Sequence, residues 1–291
     1  MLSECLDRLS HPKMEYYREV YKDSERWNGV DSIAGKTVIV YCEQGFGDII
    51  QFARYIPALK NLGCRIIMHC PIELQRVLAQ LYVAMIDKET VDLPPHDYHI
   101  PSMSLPFVLN CDVETGPYLS FEGKNDLSGY TGTKIGIAWE GSPDHSNASE
   151  RNCPLFHFNK LLKNSKNTKS WFFRKPESVR LYILQKKAHD ENLVHGCENM
   201  ALHGAKLGDF MDTAELVNAM DFVVSVDTSV LHLAGAMGKE TYGLFSFRCD
   251  PRWDIKNWYH PALTMVRQRS SGDWEGVFVE LIDMLEKKGR I

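Results

Sequence analysis

From Phe222 to Gly243 the chain reads FVVSVDTSVLHLAGAMGKETYG, and this stretch decides the fold. Phe222-Val223-Val224-Ser225-Val226 is a β-branched apolar run of strand length and predicts a buried strand. Asp227-Thr228-Ser229 follows with three side chains suited to capping. The small-residue run from Val230 to Met237 predicts the capped helix, and Gly238 closes it. A strand, a tight polar turn and a helix in that order make an anion site. The first helical N–H groups have no carbonyl to bind, and the positive end of the helix points the same way. His232 stands one turn in, within reach of the same anion. The plainer alternative makes Asp227 and Thr228 caps only, and His232 a hydrogen-bonded core histidine. On these residues alone both readings stay open.

Around this stretch, a chain of 291 residues is long enough for two domains. Its 44% apolar and 24% charged residues fit a soluble globular protein. No apolar run approaches the roughly 18–20 residues of a membrane span. Met1 to Tyr17 carries charges throughout and lacks an apolar core segment, so it does not read as a secretory signal. Eight cysteines occur without a Cys-x-x-Cys pair, and Cys42, Cys64 and Cys70 sit in apolar runs. They read as buried thiols of a reducing compartment, which makes the cytoplasm the expected location. Up to Asp126 there are 12 Lys and Arg against 18 Asp and Glu, so the N-terminal half shows no broad basic face for a polyanion.

The same alternation of elements runs through the rest of the chain. Residues 1–34 predict one or two short helices, including Met14 to Lys22. Thr37 to Cys42 predicts a buried strand, Ile49 to Leu62 an amphipathic helix ended by Gly63, and Arg65 to Cys70 a second strand. Pro71-Ile72-Glu73 opens another helix, giving the β-α-β-α order of a parallel doubly wound sheet. Residues 93–100 read as a loop entering a short strand, and residues 112–132 as a linker. Lys134 to Trp139 starts a second cycle. A strand is expected near Ser170 to Phe173, and a helix around Glu177 to Asp190. Another helix is expected from an Asp212-Thr213 cap to Met220, and a final amphipathic helix from Glu275 to Lys288. The predicted fold is α/β: two Rossmann-like parallel-sheet domains facing a crevice, residues 1–125 and 126–291, with the final helix able to pack back on the first domain.

Gly45-Phe46-Gly47 after the first strand does not complete a dinucleotide fingerprint. Ile50 stands where the third glycine belongs, no acid ends the second strand at Cys70, and no Gly-Lys-Ser/Thr makes a P-loop. What remains is a tight turn that brings the backbone near a ligand, with Asp48 at the helix start. Asp48 either caps that helix or presents an ionised carboxylate able to take a proton from an attacking hydroxyl. No Asp-x-Asp and no His/Cys cluster suggests a cation site.

The run from Glu43 to Tyr55, EQGFGDIIQFARY, resembles the EQGxGDxxQFAR motif of bacterial glycosyltransferase-like proteins related to the ADP-heptose transferases of glycosyltransferase family nine. Ser225 to Gly235 is similar to their SVDTxxxHLAG stretch, and Trp139 to His145 with Arg151 to their W-x-G-N-P-x-H…R segment. Pro251-Arg252-Trp253, Trp258-Tyr259-His260-Pro261, Arg267-Gln268 and Gly272-Asp273-Trp274 resemble their C-terminal signatures. The resemblance runs from about Trp27 to Trp274. It implies the GT-B fold, a nucleotide-diphosphate sugar on the C-terminal domain, an acceptor on the N-terminal one, and inverting transfer with no metal or other cofactor.

By position, the resemblance implies Asp48 as general base, with Gly45, Phe46, Gly47 and Gln51 on the acceptor side. It places Asp227, Thr228, Ser229 and His232 at the donor phosphates, and Trp139, Gly141, Ser142, Arg151 and Arg252 around the donor. By size alone Trp139 also fits a core or domain interface, and Arg151 and Arg252 fit a solvated surface. Cys42 and Ser142 stand where the family usually has Gly and Asn, Glu140 adds an acid beside the donor loop, and the family's tetratricopeptide array has no counterpart in the short segment before the first strand. The expected acceptor is a carbohydrate. One alternative is duplex DNA carrying a hydroxymethylated or otherwise modified base, for which Lys13, Arg18, Lys22 and Arg26 would form a basic rim. Another is a non-catalytic nucleotide-sugar binder. A sugar-nucleotide epimerase shares the architecture, but no second acid motif demands it.

Overall fold

The computed structural model describes residues 10–111, 115–121, 127, 129–143, 147–164, 179–185, 200–202 and 207–291. The chain forms two compact units, Met1–Glu114 with Asp209–Met211, and Thr115–Gly208 with Asp212–Ile291.

The first unit holds strands β1 Glu25–Arg26, β2 Thr37–Tyr41, β3 Arg65–Cys70, β4 Ala84–Asp87 and β5 Tyr98–Pro101. Their order is β1-β5-β2-β3-β4, with every pairing parallel. All five residues of β2 are buried, as a central strand covered on both faces requires. The chain runs from β2 outward to β3 and β4, then returns to β5 on the other side of β2. The connections leaving β2 and β5 therefore diverge at their C-terminal ends, which is where open parallel sheets bind ligands.

The single helix expected from Ile49 to Leu62 is two helices, Phe46–Ala53 and Ile56–Lys60. Pro57 lies in the first turn of the second one, where its missing N–H costs nothing, and the chain restarts there. The first helix also begins earlier than expected, with Gly45 as N-cap.

The second unit holds β6 Lys134–Ala138, β7 Arg180–Ile183, β8 Met200–Leu202, β9 Phe222–Val226, β10 Thr241–Phe245 and β11 Leu263–Arg267. The order is β11-β10-β9-β6-β7-β8, again all parallel. Strand alternation divides the core between two faces. Phe222, Val224 and Val226 of β9 join Ile135, Ile137, Leu181 and Ile183 on one face. Val223 joins Ala138, Tyr182, Leu216, Val217 and Ala234 on the other. The final helix, Trp274–Lys287, is capped by Asp273, whose carboxylate accepts the N–H of Gly276 at 2.8 Å. Its Val277, Phe278, Leu281 and Leu285 enter the first of these faces, so this helix forms part of the second unit's core.

Two further expectations change. Arg180–Ile183 is a strand where a helix was expected, because its side chains divide between the two core faces beside β6. The Phe210–Ala219 helix starts two residues before the expected Asp212 cap, and the Asp212 carboxylate accepts the N–H of Gly208 at 2.7 Å. The strand expected near Ser170 to Phe173 lies outside the described residues.

Candidate active site

In the second unit, β9 and β6 are hydrogen-bonded neighbours although β7 and β8 intervene in the chain. The sheet order reverses between them, and the loops leaving their C-terminal ends diverge. After β9 come Asp227 and Thr228, then the Ser229–Ala236 helix with an extended Thr228 as N-cap. The Thr228 side chain does not cap; its Oγ1 lies 3.2 Å from Ser225 Oγ. The first backbone bond into the helix runs from His232 N–H to Thr228 C=O at 3.2 Å. The N–H groups of Ser229, Val230 and Leu231 therefore have no acceptor among the described residues.

Asp227 stands beside these amides. Its Oδ2 accepts the indole N–H of Trp253 at 3.1 Å, and its Oδ1 lies 3.5 Å from His232 Nε2. Burial works to raise its pKa. Its hydrogen bond and attraction to His232, the charge of Arg151 and the Trp253 N–H more than offset this and hold the carboxyl below the usual range. The other ring nitrogen of His232, Nδ1, is 2.8 Å from the Tyr259 hydroxyl. His232 is buried, so its ring does not stand open at the helix end as the spacing alone suggested. Of its two ring nitrogens, Nδ1 faces Tyr259 and Nε2 faces Asp227.

Arg151 ends the Ala148–Arg151 helix and packs against Gly141, where a Cβ would lie 3.0 Å from the guanidinium carbon. The Gly141 N–H is bound by Asn152 Oδ1 at 3.0 Å, which fixes the loop after β6. Gly141, Arg151, Asp227, Thr228, Ser229 and His232 are thus brought together. Arg252 is engaged differently: its Nε and Nη2 donate to Asp250 at 3.0 and 2.7 Å. Burial works against the Asp250 charge, but Arg252 and then His232 hold the carboxyl below its ordinary pKa. Ser142 is exposed in the same loop as Gly141.

Trp139 is not a stacking platform. Its ring is buried in the core, and only its backbone reaches the loop, its N–H donating to Gln185 Oε1 at 2.9 Å. Gln185 in turn donates to Glu140 Oε1 at 2.9 Å, so the added acid is tied to the scaffold.

In the first unit, Asp48 is the third residue of the Phe46–Ala53 helix and not its cap, because Gly45 takes that position. The carboxylate lies in the first turn, at the positive helix end. Glu43, in the loop after β2, accepts from Ser102 Oγ at 3.0 Å and from Met103 N–H at 3.3 Å. It ties together the two connections that diverge from β2 and β5. Phe46 is partly exposed, its ring edge-on to Phe210 at 5.1 Å. Gln51, expected on the acceptor side, is only 1% exposed and belongs to the interior face of the helix. Of the expected basic rim, Lys22 is paired with Glu19 at 2.6 Å and Arg18 donates to His11 C=O at 3.3 Å.

Trp253, Tyr259, Asp250 and Gln185 complete the second-unit site and were not anticipated as site residues. The dense aromatic segment Trp253 to Pro261 was the available signal. Among the described residues no group of three or more His, Cys, Asp or Glu side chains could hold a metal ion, and no helix is long and apolar enough to cross a membrane.

The fold matches that of solved GT-B proteins. More narrowly, residues 146–267 match the family model of glycosyltransferase family 9 (heptosyltransferase). That span contains Arg151, Asp227, Thr228, Ser229, His232 and Arg252, while Asp48 lies outside it. TibC, an iron-containing dodecameric glycosyltransferase of enterotoxigenic E. coli, superposes with a TM-score of 0.61 at 14% identity, over 85% of this chain and 67% of TibC. A family 9 glycosyltransferase of Veillonella parvula gives 0.58 at 12% identity, over 91% and 98% of the two chains. The E. coli ADP-heptose lipopolysaccharide heptosyltransferase II gives 0.58 at 13% identity, over 87% and 99%. A TibC complex with ADP-D-beta-D-heptose matches with a TM-score of 0.56 at 13% identity, over 84% of this chain and 66% of TibC. At such identities the likeness speaks to fold. No curated protein matches the chain in sequence.

Proposed function

We propose that the chain transfers a sugar from a nucleotide-diphosphate sugar to a carbohydrate hydroxyl with inversion, by direct displacement at the anomeric carbon and without a metal. The observation that carries this reading is the set of three helix N–H groups at Ser229, Val230 and Leu231 with no acceptor among the described residues, beside Asp227, His232 and Arg151 at the switch between β6 and β9. As the diphosphate leaves, negative charge grows on its oxygens. Fixed N–H donors and a guanidinium stabilise that charge without reorganising, each typically by about 3–4 kcal/mol. Asp227 is the wrong sign for a phosphate ligand. Its task is to hold His232 and Trp253, both of which it contacts.

Asp48 is the base that takes the acceptor proton. Its first-turn position after the central strand of the first unit supports this role, as does its place in the EQGxGD motif. Glu43 keeps the acceptor-side loop rigid. The donor to try first is ADP-heptose, since the TibC complex holds ADP-D-beta-D-heptose. Eight cysteines without a Cys-x-x-Cys pair favour a reducing compartment, the cytoplasm, as the place of this reaction.

A thermal-shift series with ADP, ADP-heptose and other nucleotide sugars tests the reading. A ligand at about 100 times its Kd stabilises by roughly 2.7 kcal/mol, a plain rise in Tm. A series in which no nucleotide moves the transition would remove the donor site.

A further inference from the structure

We infer that Tyr259 is a positioning residue for the proposed reaction: with Asp227 facing Nε2 and keeping the proton there, the Tyr259 hydroxyl bonds Nδ1 and holds the His232 ring so that Nε2–H stays at the N-terminal end of the Ser229–Ala236 helix. The inference rests on the donor-site reading above and adds a residue to it.

The Tyr259 ring is fully buried and meets His232 edge-on, 5.7 Å between centroids, with the hydroxyl 2.8 Å from Nδ1. The space for that ring is made by Gly235, one turn beyond His232. A Cβ on Gly235 would lie 2.7 Å from Tyr259 Cδ2 and 2.9 Å from its Cβ, closer than real contacts allow. The loop is also held from behind. Asn257 accepts the Tyr259 N–H at 3.2 Å and donates to Leu263 C=O at 2.8 Å. Glycine, tyrosine and asparagine together deliver one hydroxyl to one ring nitrogen.

The tautomer follows from what each neighbour can do. Asp227 is ionised and only accepts, so the nitrogen facing it, Nε2, carries a hydrogen. In a neutral ring Nδ1 then holds a lone pair and accepts the Tyr259 O–H. Should the ring take up a second proton, the hydroxyl rotates and its oxygen accepts from Nδ1–H. A phenol serves both states, whereas a phenylalanine serves neither. The charged groups around the ring are Asp227 and Asp250, with Arg151 and Arg252 acting through them. None of these touches Nδ1 in the manner of Tyr259. When a diphosphate occupies the helix end, the Nε2–H is the ring's donor to it.

The test uses the full chain labelled with ¹⁵N-histidine, with the His232 ring signals assigned by their loss in His232→Gln. Ligand-free wild type at pH 7.5 should show His232 protonated at Nε2 with Nδ1 accepting a hydrogen bond, and Tyr259→Phe should keep the Nε2–H while its Nδ1 signal moves to that of a nitrogen without a bonded donor. Binding of ADP should weaken about tenfold in Tyr259→Phe. Gly235→Ala, which touches no ligand but evicts the Tyr259 ring, should reproduce both effects. A wild-type ring protonated only at Nδ1 would overturn the inference without any variant. So would a Tyr259→Phe protein that keeps the wild-type Nδ1 signal and full ADP affinity. If wild type shows the Nε2–H tautomer and binds no nucleoside diphosphate, the donor-site reading has failed and takes this role with it, while the tautomer result identifies which of the two was wrong.

Discussion

Arg151 occupies the space in which a side chain at position 141 would begin: a Cβ on Gly141 would lie 3.0 Å from the guanidinium carbon and nearer still to Nη2. The pair joins the loop after β6 to the charge beside Asp227. Gly141→Ala should therefore displace Arg151 and weaken nucleoside-diphosphate binding about tenfold, as Arg151→Ala should by itself. The double variant should be no worse than either single one, because both remove the same placement of one cation. Calorimetric titrations of the four proteins check this, and additive losses would show that the two residues act separately.

Asp48 stands in the first turn of its helix, where a carboxylate meets the positive helix end, so removing its charge should cost the fold only about 0.3–1 kcal/mol. Asp48→Asn should lower the rate of sugar transfer by about 10²–10⁴-fold, the usual contribution of a positioned base. Nucleotide affinity should stay at the wild-type value. Single-turnover rates with saturating donor give the answer, and an unchanged rate would assign the base elsewhere.

His99 makes the first unit sensitive to acid. It is 7% exposed, with its Nδ1 2.7 Å from Ser24 Oγ and its ring 4.7 Å from that of Tyr21. Burial, then the charges of His96 and Arg26, push its pKa down to about 4. In the unfolded chain the ordinary value is about 6.5, so between the two the unfolded state takes a proton that the folded state refuses. The depressed pKa of a basic group thus leaves stability complete above about pH 6.5 and erodes it as pH falls toward 4, by something on the order of 2 kcal/mol. Urea unfolding at several pH values, followed through Trp27, should show that slope, and His99→Gln should flatten it. His69, whose pKa burial also lowers, keeps part of the slope in the variant.

Phe278 anchors the final helix. It is fully buried, with its ring against Phe158 at 5.1 Å and His157 at 5.5 Å. Phe278→Ala should cost about 3–5 kcal/mol, because the cavity adds to the lost burial. Denaturant unfolding of the second unit measures it. A loss below about 1 kcal/mol would mean that the helix contributes little to the core.

The central strands could be read from the chain because both of their faces are buried, which forces unbroken β-branched runs such as Thr37–Tyr41 and Phe222–Val226. Glu25–Arg26 is wholly exposed and Ala84–Asp87 partly so; edge positions like these impose no such pattern. Arg180–Ile183 was read as helix because only its place beside β6 distributes Leu181, Tyr182 and Ile183 between two cores. At the site, Asp227-Thr228-Ser229 was legible because turn and cap chemistry is local. Trp253 and Tyr259 were not, since they reach Asp227 and His232 from 26 and 27 residues away, and no local period encodes such meetings. The same distance effect explains Trp139, whose depth in the core depends on elements far along the chain.

From Val230 to Ala236 every residue of the site helix is buried, four of them fully. Such a segment has little latitude for change: apart from His232, a substituted side chain there disturbs a core before it reaches a ligand. Descendants of this chain that came to prefer another sugar or base would have to record the change elsewhere, in the connections after β6 and β10, where Ser142 and Phe247 lie exposed. The helix would persist through such diversification as a fixed inheritance, and the lineage's history of substrates would be written in its loops.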